Sequence, residues 1–169
     1  MKNSKAKEIV LIGLFVAISV VARISLSSLP NIQITTGLII LITLNYGLKY
    51  GLSLAVLTPL ISNMILGSGI WTLWQIVSWS VIVLLSYPLK RYKNKVIIIS
   101  TFALLMGYIF GILMSIQSML MFGLYGNTIL GYYIAGLPYD TAHAISNFIF
   151  CLIFLNPFNW IIKMNFRNN

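Results

Sequence analysis

Residues 50–89 read YGLSLAVLTPLISNMILGSGIWTLWQIVSWSVIVLLSYPL and contain no charged side chain. One membrane-spanning helix needs about 20 apolar residues, so this run is long enough for two helices, and Gly67-Ser68-Gly69 provides the turn between them. The whole chain shares this character, because it is 59% hydrophobic and only 8% charged. A soluble domain carries roughly 25% charged residues, so the sequence predicts an integral membrane protein.

Charged residues outside this run mark the ends of further helices. The first apolar run must continue through Arg23 to be long enough to span, and a turn at 46–51 separates the second and third helices. Glycines and a proline between 119 and 138 predict a long loop instead of another span. The predicted helices cover residues 9–23, 35–48, 51–66, 70–89, 96–118 and 141–162.

The basic residues predict the topology. The chain has 11 Lys and Arg residues against two acids, for a net charge of +9. Six spans with a cytoplasmic N-terminus place every basic residue except Arg23 on the cytoplasmic side, as the positive-inside rule requires. This arrangement is not typical of a nucleic-acid-binding face. We predict an all-α integral membrane bundle of six transmembrane helices, one membrane-embedded domain over residues 1–169, with cytoplasmic N- and C-termini.

Motifs of catalysis and metal binding are missing from the sequence. It contains no GxxxxGK[ST] phosphate loop, no HExxH and no GxSxG, so the chain has no ATPase site of its own. Cys151 is alone in an apolar run and is interpreted as a small buried hydrophobe. The single His and its neighbouring Asp lack further ligands for a metal. We expect neither an enzyme nor a bound cofactor or metal.

Two charged residues lie near the predicted outer ends of helices. A charge at mid-bilayer costs about 2.5 to 3.5 kcal/mol on insertion scales, so Arg23 and Asp140 need a role. They form a structural ion pair, contact a ligand or lie at the lipid headgroups. Asp140, His143 and Asn147 share one helical stripe, which is either a ligand-lining face or an interhelical hydrogen-bond cluster.

Residues 71–79, WTLWQIVSW, hold three of the four tryptophans. Trp71, Trp74 and Gln75 share a helix face. An aromatic belt at the membrane interface explains the indoles but explains the amide poorly, so a binding face for a flat, polar-edged organic molecule is favoured. Further polar residues are predicted to converge on the same outer half: Asn63 in the third helix, and Asn31, Gln33 and Thr35 in the first loop.

Gly13 and Ala17 form a small-xxx-small pair in the first helix. Such pairs let another helix approach closely. The pair serves either internal packing or docking onto a partner subunit.

Three blocks of the sequence resemble a known family. They are Ala22-Arg23 leading to LPNIQITT at 29–36, LGSGIWTLWQ at 66–75, and AGLPYD at 135–140 followed by His143 and Asn147. The chain resembles the S components, the substrate-binding membrane subunits, of energy-coupling factor (ECF) vitamin transporters. It looks most like the branch associated with cobalamin and its precursors, in which prolines occupy the positions of Ile70 and Leu73.

The resemblance implies a six-helix bundle with an outward-facing pocket closed by the first, third and fifth loops. It also implies a vitamin-like substrate, a transmembrane coupling subunit, two ATPase subunits that use ATP, and a multi-pass location in a prokaryotic plasma membrane. Gly13 and Ala17 match the docking face of the family. The residues that we expect to contact the solute are Asn31, Gln33, Thr35, Asn63, Trp71, Trp74, Gln75, Asp140, His143 and Asn147.

Two other hypotheses stay open at this point. One is a small integral-membrane enzyme that uses Asp140 and His143 as a proton-transfer pair. The other is a non-transporting assembly partner, held through Gly13 and Ala17, which binds no ligand.

Overall fold

The computed structural model describes residues 2–167, and its regular secondary structure is entirely helical over that range. The six α-helices are joined by short connections, and a 3-10 helix follows the fourth. Their bounds are α1 Lys2–Ser25, α2 Thr35–Tyr46, α3 Leu48–Leu66, α4 Ile70–Ser86, the 3-10 helix Tyr87–Tyr92, α5 Val96–Phe122 and α6 Asn127–Arg167.

Five of the helices, α1, α3, α4, α5 and α6, are long and apolar enough to cross a membrane. Many of their large apolar side chains are exposed, among them Ile9, Leu73 and Ile153. A soluble protein rarely exposes so much contiguous apolar surface, whereas a bilayer provides the matching solvent. The prediction of an all-α membrane bundle is confirmed, and the protein is a multi-pass membrane protein.

Helix α2 differs from the others because it is short and enclosed. Its 12 residues extend only about 18 Å at 1.5 Å per residue, which is less than the roughly 30 Å of a bilayer core. Every residue from Thr35 to Leu44 is buried, and α2 contacts each of the other five helices. A helix that is apolar all round belongs in the middle of a bundle, so α2 is the core around which the longer helices pack.

The prediction of a long loop at 119–138 is wrong. Helix α5 continues to Phe122 and α6 already begins at Asn127, so only residues 123–126 connect them. Gly123 and Gly126 have φ angles of +61° and +60°, the left-handed conformation that glycine adopts without steric cost. Gly131, Gly136 and Pro138 lie inside α6, because in a membrane helical hydrogen bonding outweighs the turn preference of these residues.

Small residues allow α5 and α6 to pack closely along much of their length. A Cβ atom added at Gly107 would lie 2.5 Å from Cα of Ala144, and one added at Gly111 would collide with the carboxyl group of Asp140. Close approach of this kind is how membrane helices gain van der Waals contact. The packing of α5 on α6 therefore fixes where Asp140 lies.

We expect Gly107→Val to destabilise the bundle by about 1 to 3 kcal/mol, because its side chain must push against the α6 backbone. Unfolding of the purified protein in detergent, followed by circular dichroism, measures the change. Gly131→Val is the matched control, since a Cβ atom at Gly131 meets nothing within 4 Å. Equal stability of the two variants would contradict the close α5–α6 packing.

Candidate functional site

A cavity of about 400 Å³ lies where α1 ends and the first loop begins. This loop, residues 26–34, closes one side, and α3 to α6 supply the rest of the wall. Both polar and apolar side chains line it, namely Arg23, Leu26, Ser27, Leu29, Asn31, Ile32, Gln33, Leu66, Gln75, Phe110, Gly111, Met114 and Asp140.

Arg23 brings a positive charge to this cavity. The residue is only 9% exposed. Its Nη1 donates a hydrogen bond to Ser62 Oγ at 2.7 Å, and its guanidinium carbon lies 5.0 Å from the centre of the Trp79 ring. Both contacts stabilise a cation, but neither provides a negative charge.

Asp140 brings a negative charge to the same cavity. It is 6% exposed, and its Oδ2 is buried without a hydrogen-bond partner among the described residues. The other acidic side chain of the sequence, Glu8, forms an ion pair with Lys49. Arg23 and Asp140 do not form a salt bridge with each other among the side chains that the structure describes, so the two opposite charges line one cavity without direct contact.

A chain of hydrogen bonds supports the cavity from behind. Trp79 Nε1 donates to Thr36 Oγ1 at 2.9 Å, and Thr36 Oγ1 lies 3.0 Å from His143 Nε2. The other ring nitrogen, His143 Nδ1, lies 3.2 Å from the backbone oxygen of Asn31. One arrangement satisfies all three contacts: the Thr36 hydroxyl donates to Nε2, and Nδ1–H donates to Asn31. These hydrogen bonds thus link α4, α2 and α6 to the first loop.

Asn31 is the residue at which this series of hydrogen bonds reaches the cavity. Its φ angle is +56°, a conformation in which asparagine is enriched among non-glycine residues. The hydrogen bond from His143 to its carbonyl holds this turn in place. The chain of hydrogen bonds therefore fixes the shape of the first loop over the cavity.

Gln75 is oriented by its neighbour Asn63. Asn63 Nδ2 donates to Thr72 Oγ1 and to Gln75 Oε1, both at 2.8 Å. This contact holds the amide oxygen toward Asn63, so the amino group of Gln75 is the part that can donate to a ligand in the cavity. Gln75 is half-buried in the wall of the cavity.

A second cavity of about 320 Å³ adjoins the first between α5 and α6. The two share Asn31, Gly111, Met114 and Asp140 in their walls. Tyr132 and Tyr139 belong to the second cavity alone. Asp140 therefore stands at the junction of the two spaces.

The structure brings together four of the ten residues that the sequence suggested for solute contact. Asn31, Gln33, Gln75 and Asp140 line the main cavity. Asn63 and His143 lie behind this wall and orient Gln75 and Asn31.

The other four have different surroundings. Thr35 and Asn147 are buried within the helix packing, where Asn147 Oδ1 accepts a hydrogen bond from the Gly37 amide at 3.3 Å. Trp71 is 43% exposed and donates to the Gly67 carbonyl. Trp74 is half-buried and lies outside the walls of both cavities.

Sequence reasoning missed Phe110 and Gly111 of α5 and left the role of Arg23 open. Phe110 lies between Trp79 and His143, with ring-centre distances of 5.0 and 5.2 Å. The signal for this region was the spacing of Gly107 and Gly111, a small-xxx-small pair that marks close helix packing. It identifies a contact between helices, but not which helix or side chain lies opposite.

Gly13 and Ala17 line an apolar groove between α1 and α3, with a volume of about 620 Å³. A Cβ atom at Gly13 would meet nothing within 4 Å. No helix that the structure describes therefore packs closely against Gly13, and the groove is open along the side of the bundle.

Comparison with known proteins adds the family to this geometry. The model of the family described as "ECF transporter, substrate-specific component" matches residues 7–164. The curated proteins and the solved structures give no significant match. The matched region includes both charged residues of the cavity, the first loop and the groove of α1. The chain belongs to the family of substrate-specific components of ECF transporters, which are subunits of transporters and not enzymes.

Proposed function

We propose that this protein captures a small organic micronutrient in the cavity between Arg23 and Asp140 and delivers it through an energising module of partner subunits. The observation that carries the proposal is that two opposite, buried charges line one cavity without contacting each other. Buried charges are normally paired, so a bound molecule is the missing partner. Membership of the family supplies the transport context.

The size of the cavity bears on the nature of the micronutrient. Small-molecule sites occupy about 300 to 1,000 Å³, and at about 400 Å³ this cavity is near the lower end. A complete cobalamin, with its macrocycle and nucleotide arm, is much larger than such a space. Among the solutes of the cobalamin branch, which the sequence resembles, the size of the cavity therefore favours a precursor-sized fragment over the complete vitamin.

The proposed orientation follows the positive-inside rule. Lys90, Arg91, Lys93 and Lys95 surround the connection between α4 and α5, at the opposite end of α4 from Gln75 and the first loop. With this basic end in the cytoplasm, the cavity faces the outside of a prokaryotic plasma membrane and both termini lie inside. A transmembrane coupling subunit and two ATPase subunits would then use ATP to drive uptake.

The alternative of an enzyme acting through Asp140 and His143 has little support from the geometry. His143 is 1% exposed and does not line either cavity at Asp140. Both of its ring nitrogens already have hydrogen-bond partners within the protein. A general acid or base needs a free ring nitrogen within reach of its substrate.

Native mass spectrometry tests the proposed function. The wild-type protein, expressed in rich medium and purified in detergent, is expected to retain a low-mass organic molecule. Gly111→Ala is expected to lose that molecule, because the added methyl group displaces the Asp140 carboxylate. Gly131→Ala, on the same helical pair but with open space around it, is expected to retain the molecule.

Either of two results would count against the proposal. One is a wild-type protein that retains no small molecule from rich medium. The other is a retained molecule that Gly111→Ala and Gly131→Ala hold equally well, since binding would then take place elsewhere.

A further inference from the structure

We propose that the solute is a zwitterion, with an anionic oxygen group held at Arg23 and a protonated nitrogen held at Asp140. This inference rests on the proposed function, because it names the chemical class of the molecule that the same cavity binds. Three observations carry it: the environment of Arg23, the environment of Asp140 and the orientation of Gln75.

Arg23 defines the end of the cavity that recognises an anion. A guanidinium group has five N–H donors in a planar fork, and among the described residues only one hydrogen bond, to Ser62 Oγ, involves them. The guanidinium carbon lies over the Trp79 ring, a contact that uses none of the N–H donors, and Arg23 lines the cavity. A planar donor edge of this kind is suited to a carboxylate or phosphate, which it binds through two parallel hydrogen bonds.

Gln75 supports the same assignment. Its amide oxygen accepts a hydrogen bond from Asn63, which holds that oxygen toward α3, so the group that Gln75 offers to the cavity is its amino donor. Donors suit an anionic or acceptor oxygen of the solute and do not suit an ammonium group. Arg23 and Gln75 are therefore both suited to bind the anionic end of the solute.

Asp140 defines the end that recognises a cation. Its Oδ2 is buried and has no hydrogen-bond partner in the part of the chain that the structure describes, and Gly111 approaches its carboxyl group so closely that even a methyl group would displace it. A buried oxygen that lacks a hydrogen bond costs free energy unless a ligand supplies the donor. A protonated amine or ring nitrogen of the solute supplies both the donor and the compensating charge.

The net charge of the cavity favours a molecule that carries both groups. Arg23 and Asp140 together contribute no net charge, so a solute with a single charge would leave one of them uncompensated in a low-dielectric site. Phe110 and Met114 provide apolar surface in the wall of the same cavity. The expected solute thus has an apolar or aromatic body with an acidic group at one end and a basic group at the other.

A thermal-shift experiment on the full chain in detergent tests this assignment with defined probes. The panel contains water-soluble vitamins, their precursors and amino acids, together with the low-mass extract released from the purified wild-type protein. Each binder is compared with two of its derivatives, the methyl ester, which removes the anion, and the N-acetyl form, which removes the cation. Binding is measured to wild type, Arg23→Gln and Asp140→Asn.

For wild type we expect each derivative to bind on the order of 30-fold or more weakly than its parent, because a buried charge is left unpaired. For Arg23→Gln the ester and the parent are expected to bind equally, and for Asp140→Asn the N-acetyl form and the parent are expected to bind equally. If either variant fails to fold, the comparison of parent with derivatives on wild type carries the test alone.

The results separate this inference from the proposed function. A binder whose ester and N-acetyl forms both bind wild type as tightly as the parent overturns the zwitterion assignment and leaves solute capture standing. An empty wild-type protein that no member of the panel stabilises overturns solute capture and the zwitterion assignment together.

Discussion

Replacing Trp79 by alanine is expected to lower the stability of the bundle by about 3 to 5 kcal/mol, the range for truncating a fully buried large aromatic side chain. Trp79 has no exposed surface. It stacks on Phe110, donates to Thr36 and lies beneath the guanidinium of Arg23. One substitution therefore removes a core contact and disturbs both the hydrogen-bonded chain and the anion-recognising end of the cavity.

Detergent-denaturation curves of the purified protein measure this loss, and two variants control it. Trp71→Ala is expected to change the stability by less than about 1 kcal/mol, because Trp71 is 43% exposed. Trp79→Phe keeps a ring but loses the donor to Thr36, so we expect a loss of about 1 to 3 kcal/mol from the unsatisfied group. A Trp79→Ala protein as stable as Trp71→Ala would contradict the placement of Trp79 in the core.

Filling the groove of α1 is expected to abolish assembly with the coupling subunit without affecting solute binding. In Gly13→Leu/Ala17→Leu the two new side chains enter the open groove between α1 and α3. A partner helix that relies on close backbone approach can no longer reach the surface. The groove and the cavity share no lining residue, so retention of the solute should be unchanged.

Co-purification of the coupling subunit with the tagged chain measures this effect, alongside native mass spectrometry for the solute. Leu14→Phe is the control, since Leu14 lies on α1 outside the groove and is 53% exposed. A double variant that still assembles like wild type would show that the partner docks on another face.

The general architecture could be predicted from the sequence because a bilayer leaves few alternatives. Long uncharged runs must become helices, and charged residues must lie near their ends. The boundary at Gly67-Ser68-Gly69 was correct to the residue, since α3 ends at Leu66 and α4 begins at Ile70. At this boundary the turn preference of the Gly-Ser-Gly segment and the span length set by the bilayer both predict the end of one helix and the start of the next.

The region 119–138 was predicted wrongly because glycine and proline have different consequences in lipid and in water. Turn rules come from chains whose backbone can hydrogen-bond to water. Helix α6 runs through Gly131, Gly136 and Pro138 because an open loop in the bilayer would leave peptide groups unpaired. Counting breaking residues therefore overestimated the length of this connection.

The candidate site was only partly predictable for a different reason. Periodicity places residues on a helix face, but it does not say how deep that face lies in the bundle. Trp71 and Gln75 are one turn apart on α4, yet Trp71 is exposed while Gln75 lines the cavity. The partners Ser62 and Trp79 of Arg23 lie 39 and 56 positions away along the chain, a separation that local pattern does not reveal.

The enclosed helix α2 has a consequence for how the protein is made. Its 12 residues are fewer than the roughly 20 that a spanning helix needs on its own, and it has almost no surface for lipid, so it has no stable place in the bilayer as a single inserted segment. Only Gly47 separates it from α3, and the two can enter the membrane together as one hairpin. Its enclosure is complete only when α6, which follows the other described helices in chain order, packs against it. The core is thus complete only after α6 has been synthesised and has packed against α2.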